Sequence, residues 1–166
     1  PLNDEGVART FNEVLAGLGV ENKGIVIKDA SGLSRDNRVS ATQVGQLLLK
    51  IRSDSRFAPL IGGLPIGGVT GTLRHRFIDT APQAVGLVRA KTGTLNGTAN
   101  LAGYVEAGDR EYVFVIIADQ LKRTSRAEKF ARATVDRILG KIASPLLPVF
   151  PTTAAEVSTE VVATTA

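Results

Sequence analysis

The chain has 166 residues, 43% hydrophobic and 22% charged, with 20 Lys and Arg against 16 Asp and Glu, one histidine and no cysteine. That is enough chain for one globular domain with a real core, and it excludes disulfides, zinc–thiolate sites, a cysteine nucleophile and a histidine metal cluster. The net charge of +4 suits an anionic polymer, nucleic acid and cell-wall material alike, and does not choose between them.

No apolar run approaches twenty residues, so no helix of this chain is expected to span a membrane. The opening PLNDEGVART has neither the basic start nor the apolar core of a signal peptide. Pro1 in place of Met raises the expectation that the chain begins inside a longer polypeptide. Residues 3 to 18 read as an amphipathic helix with Val7, Phe11, Val14, Leu15 and Leu18 on one face, and Gly17 and Gly19 as its stop. GIVIKDA (24–30) reads as a short β-branched strand, and SGLSRDNR (31–38) as a polar loop. Asp29 is expected to shape the turn into that loop rather than to act as an acid.

Ser40 opens a second helix through the capping box Ser40-x-x-Gln43, with Val44, Leu47, Leu48 and Ile51 as its buried stripe. The stretch 57–77 holds five glycines before Thr72 and two prolines, too punctuated for a long element, and is expected to form a glycine-rich loop with one or two short turns. Three strand signals follow, at 85–93, 98–107 and 111–119, the last two joined by a Gly108-Asp109 turn as a hairpin. YVFVII is apolar on both faces, which predicts cover on both sides. Residues 124 to 142 form a helix with Phe130, Ala131, Val135, Ile138, Leu139 and Ile142 inward. Prolines at 145, 148 and 151 then open a tail, so that 1–143 is expected as the folded portion and 144–166 as a low-complexity tail or linker. The order of elements predicts an α+β fold, an antiparallel sheet with helices packed on it.

The segment RAKTGTLNG (89–97) carries the chemistry. Lys91 supplies a fixed positive charge. The Thr92 hydroxyl can donate to a carboxylate, and Gly93 lets a ligand lie against the strand. The amide of Thr94 can meet a developing oxyanion. The same residues also suit a plain strand with one exposed lysine. Lys-Thr-Gly is the third element of the penicillin-binding proteins and serine β-lactamases, beside Ser-x-x-Lys and a Ser-Asp-Asn-type motif. DASGLSRDNRVSA, LPIGGVTGTLRHRF and VRAKTGTLNGTANLAGYV, with the apolar strand after them, are similar in order and spacing to the C-terminal part of the S13-type D-alanyl-D-alanine carboxypeptidases, the penicillin-binding protein 4 family. The resemblance covers about residues 5 to 142.

That resemblance implies part of a penicillin-binding protein fold and a serine acyl-transfer site without cofactor or metal. Lys91, Thr92 and Gly93 would bind the terminal carboxylate of a peptidoglycan stem peptide, and Thr94 would serve the oxyanion hole. Arg35 matches an arginine that contacts the free carboxylate of a diaminopimelic acid side chain, with Leu95 and Asn96 lining the same pocket; Asn96 before Gly97 is also a common turn residue. The resemblance further implies β-lactams as ligands and an extracytoplasmic location.

None of the eight serines has a lysine three places on, and Ser-x-Asn is absent too. In the family both motifs lie upstream of the segment that resembles this chain. The expectation is therefore a C-terminal portion that is inactive alone and partnered by the N-terminal portion of the same enzyme. A non-catalytic peptidoglycan- or protein-binding module is the alternative. A nucleic-acid partner is not expected, for no binding motif is present. His75 is expected as a loop or surface histidine rather than a catalytic one, and Arg74 and Arg76 in structural ion pairs.

Overall fold

The computed structural model describes residues 4–144. The element order is α1 (Asp4–Gly17), α2 (Ala41–Ser53), α3 (Ala58–Gly62), β1 (Val88–Gly93), β2 (Ala99–Ala107), β3 (Arg110–Ala118) and α4 (Ser125–Ala143), with 3-10 turns at Ser55–Phe57, Gly71–Leu73 and Pro82–Ala84. The three strands form one antiparallel sheet in the order β1-β2-β3. This is the expected α+β arrangement. Apart from Ser144, whose hydroxyl donates to the Gly140 carbonyl at 2.8 Å, the expected tail lies outside the described residues.

The register sorts the side chains onto two faces. Val88 pairs with Val105, Ala90 with Gly103 and Thr92 with Leu101, and side chains of directly opposed residues share a face. Val88, Ala90, Leu101, Val105 and Phe114 meet Val135, Leu139 and Ala143 of α4 in one buried cluster. The opposite face carries Arg89, Lys91 and Gly93 across from Tyr104, Ala102 and Asn100, and α2 packs on that side: Tyr104, fully buried, donates its hydroxyl to the Leu48 carbonyl at 2.8 Å. The middle of β3 is thus covered on both faces. Gly103 is required where it stands, because a Cβ there would lie 2.7 Å from the Cα of Ala90.

The capping box forms as the sequence predicts, with the Ser40 hydroxyl accepting from the Gln43 amide and the Gln43 side chain accepting from the Ser40 amide. Three expectations are corrected. GIVIKDA makes no strand, only one bridge between Val26 and Arg38, because Asn37 Oδ1 takes the Lys28 amide at 2.7 Å and closes the segment on the loop after it. In α1, Phe11 and Val14 are exposed and Leu15 is the buried hydrophobic residue. In α4, Phe130, Ile138 and Ile142 face solvent, at 70%, 46% and 37% exposure. The inward face is Val135, Asp136, Leu139, Gly140 and Ala143. Gly140 decides that rotation: a Cβ there would stand 2.7 Å from Ala81 Cβ, so α4 approaches the 81–83 turn on its glycine side.

Asp136 is 2% exposed and is held by three residues. Arg76 donates to both carboxylate oxygens, Thr80 donates its hydroxyl at 2.9 Å, and the Phe77 amide approaches at 3.4 Å. Arg76 also reaches the Arg132 carbonyl at 3.2 Å. This network fastens the end of the glycine-rich loop to α4, and so fixes the loop against β1.

Candidate functional site

The glycine-rich loop determines how much of β1 remains open. β1 is an edge strand, and its outer side is occupied from Val88 to Ala90: the Gly67 amide donates to the Val88 carbonyl at 2.8 Å and the Ala90 amide to the Pro65 carbonyl at 3.0 Å. Gly67 permits this approach, since a Cβ there would lie 2.8 Å from the Phe77 ring. Strand alternation turns the backbone groups of Thr92 outward as well, beyond the point where 65–67 departs. The Thr94 amide has no acceptor among the described residues. An extended ligand can therefore join β1 at residues 92–94.

Around this open edge stand the residues singled out by sequence. Lys91 is exposed; its Nζ donates to the Thr92 carbonyl at 2.7 Å. The Thr92 hydroxyl lies 3.3 Å from that of Thr72. Gly93 pairs with Asn100, and a Cβ on it would crowd Asn100 Cβ at 3.3 Å. Asn100 Oδ1 accepts from the Ala118 amide at 3.1 Å, tying β2 to the end of β3. Beyond β1 the chain turns sharply. The Leu95 amide donates to Thr98 Oγ1 at 2.9 Å, the Thr98 amide donates to the Leu95 carbonyl at 2.9 Å, and Gly97 takes φ +88, a left-handed value that glycine adopts without strain.

Arg35 arrives from the far loop. Its Nη2 donates to the Asn96 carbonyl at 3.0 Å, across 61 positions of sequence. The structure thus joins two of the predicted site residues, though through the backbone of Asn96 rather than its side chain. Asp29 organises the loop, as expected. Its carboxylate accepts from the Ser31 hydroxyl at 2.6 Å, from Asn37 Nδ2 at 2.7 Å and from the amides of Gly32, Leu33 and Ser34. These bonds to the charged form, that of Ser31 first and that of Asn37 next, bring its pKa from 3.8 down to about 2. Arg38 donates to the carbonyls of Arg35 and Asn37 at 2.6 and 2.8 Å, so the backbone under Arg35 is held from both sides. Lys91 and Arg35 give this end of the sheet a positive, exposed surface, which suits an anionic ligand.

His75 is exposed and accepts from Arg74 Nε at 2.9 Å. Sequence reasoning missed three contributors: Thr72, Asn100 and Asp136. Asn37 was visible within SRDN, but nothing local showed its side chain turned back on Asp29 and Lys28. Among the described residues no three His, Cys, Asp or Glu side chains gather as a metal site, and no helix is long and apolar enough to cross a membrane.

Comparisons with known proteins identify the family. The model of the D-Ala-D-Ala carboxypeptidase 3 (S13) family matches residues 2–142. The carboxypeptidase DacB of Mycolicibacterium smegmatis is 36% identical over 145 residues, which are 84% of this chain and 32% of that protein. A D-alanyl-D-alanine carboxypeptidase of an Actinomadura species is 43% identical over 110 residues, 63% of this chain and 20% of that one. Penicillin binding protein 4 of Haemophilus influenzae, solved in complex with a β-lactam, superposes with a TM-score of 0.67 at 30% identity, covering 78% of this chain and 31% of its own. The chain therefore spans a third or less of the length of these relatives. It is a member of the D-Ala-D-Ala carboxypeptidase 3 (S13) family.

Proposed function

We propose that this chain is the substrate-binding wall of a serine DD-peptidase that hydrolyses D-Ala-D-Ala bonds, or the related D-Ala cross-links, of peptidoglycan stem peptides. One observation carries the reading: the Lys91 ammonium, the Thr92 hydroxyl and the unpaired Thr94 amide line one open strand edge. A peptide laid along β1 would bring its terminal carboxylate to Lys91 and Thr92. Its scissile carbonyl would lie by the Thr94 amide. Arg35, Leu95 and Asn96 would receive the side chain further along the peptide, Arg35 gripping a free carboxylate such as that of diaminopimelate.

The nucleophile comes from a segment with Ser-x-x-Lys, which these 166 residues do not contain. In the reaction its serine oxygen attacks the carbonyl carbon of the penultimate D-alanine, and its lysine takes the serine proton. The Thr94 amide donates to the oxyanion. Collapse breaks the C–N bond, the proton passes to the leaving amine, and water then releases the acyl group from the serine. A β-lactam would acylate the same serine. Such an enzyme works outside the cytoplasm, where peptidoglycan is.

Intact mass spectrometry before and after incubation with benzylpenicillin tests this. A polypeptide that carries Ser-x-x-Lys and gains the drug's mass in the presence of this chain supports the peptidase reading. If the 17.5 kDa chain binds stem peptide yet no assembly containing it is acylated, the non-catalytic peptidoglycan-binding module replaces it.

A further inference from the structure

The glycine-rich loop meets β1 twice. The first meeting, at 65–67, is backbone pairing. The second brings Thr72, in the 3-10 turn Gly71–Leu73, to the side chain of Thr92, twenty positions away in sequence. We propose that Thr72 is a substrate-contact residue of this site, its hydroxyl acting with that of Thr92 to hold the terminal carboxylate of the peptide. The inference rests on the peptidase reading and adds to it a residue outside Lys-Thr-Gly.

The frame around Thr72 is rigid although its own side chain is exposed. The next residue, Leu73, has no exposed surface, and its carbonyl accepts from the amides of Gly68 and Arg76, each at 2.9 Å. Arg76 is in turn anchored on buried Asp136. On the other side Gly71 takes φ +54, with the Pro65 ring 3.1 Å from where a Cβ would stand. Thr70 Oγ1 accepts from the Ile66 amide at 2.9 Å. The turn can neither slide along β1 nor swing away from it without breaking buried contacts.

The chemistry follows from the number of donors. Two hydroxyls 3.3 Å apart hold two hydrogens and use one between them, so one stays available for an outside acceptor. Lys91 Nζ gives one hydrogen to the Thr92 carbonyl and keeps two. A cation and a hydroxyl pair gathered about one residue of an open strand edge match a carboxylate, whose two oxygens accept from both at once. A neutral carboxamide offers one oxygen and adds two donors that face donors here, so the cluster also discriminates against it.

The test compares Thr72→Val with Thr72→Ser in the assembly of this chain with its Ser-x-x-Lys segment. The substrates are a stem peptide ending in free D-Ala-D-Ala and the same peptide with a C-terminal amide. Thr72→Val is expected to raise KM for the free acid about tenfold, with kcat and the amide substrate little changed, and Thr72→Ser to restore the wild-type value. Equal kinetics in Thr72→Val and wild type would overturn the inference, and so would equal losses on both substrates, which would mark Thr72 as a brace for Thr92. A wild-type assembly that takes neither penicillin nor peptide would overturn the peptidase reading and this inference together.

Discussion

The sheet's two faces are finished to different degrees. Toward α4 the surface is sealed: Leu73, Ala84, Val88, Ala90, Val105 and Leu139 have no exposed area, and the one buried charge among them is fully bonded. Toward α2 the cover reaches β3 and Tyr104 and then stops, leaving Lys91 exposed. Further out, α1 and α2 enclose an apolar groove of about 320 Å³ lined by Phe11, Val14, Leu18, Ile25, Val44 and Leu47. Close packing makes the first face stiff, and Lys91 of β1 sits where the second face is bare. The fold therefore holds β1 firmly on its α4 side and leaves Lys91 uncovered on the other.

The largest expected effect breaks the sealed side. Asp136→Ala leaves the Arg76 guanidinium, itself 17% exposed, without its partner. Removing one member of a buried pair typically costs about 3–5 kcal/mol, and urea denaturation should register a loss of that order. The equivalent test on the α2 side is Glu111→Ala, which removes the partner of Arg52, a residue 53% exposed. That loss should stay below about 1 kcal/mol. If the two variants are equally destabilised, the sheet does not have one stiff and one open face, and the rigid frame assigned to the glycine-rich loop is wrong.

Local pattern and tertiary contact divided the fold between them. The three strands were legible because alternation, the Gly108-Asp109 turn and β-branched runs all agree, and α2 announced itself through its capping box. GIVIKDA carries the same β-branched signal, but the side chains of Asp29 and Asn37 claim the neighbouring backbone, and the return of Asn37 onto Lys28, nine positions back, cannot be read from composition. The facing of α4 was misjudged because a buried stripe containing aspartate looks polar; only the contact with Arg76, 60 positions away, makes Asp136 an inside residue. At the site, Lys91, Thr92 and Gly93 were visible as a contiguous motif, whereas the Thr72–Thr92 approach depends on a loop path that no spacing encodes.

The smallest effect lies in the loop that carries Arg35. Asp29 has a folded pKa of about 2, below the 3.8 of the free side chain, so the unfolded loop binds the proton more readily than the folded one. Its contribution is complete above 3.8 and is lost as the pH falls through about 2. The carboxylate stands in a half-open loop, so the change is local and leaves the sealed core untouched. Amide exchange at Gly32, Leu33 and Ser34, whose N–H groups the carboxylate holds, should keep its protection down to about pH 3 and lose it toward about pH 2. Asp29→Asn should show weak protection at every pH, because a carboxamide presents one acceptor oxygen in place of two and a donor where the Ser31, Asn37 and backbone donors converge. It should also loosen the hold of Arg35 on the Asn96 carbonyl. Full protection in Asp29→Asn would mean that the bonds from Arg38 to the carbonyls of Arg35 and Asn37 suffice to shape the loop, and that the aim of Arg35 is set from its C-terminal side alone.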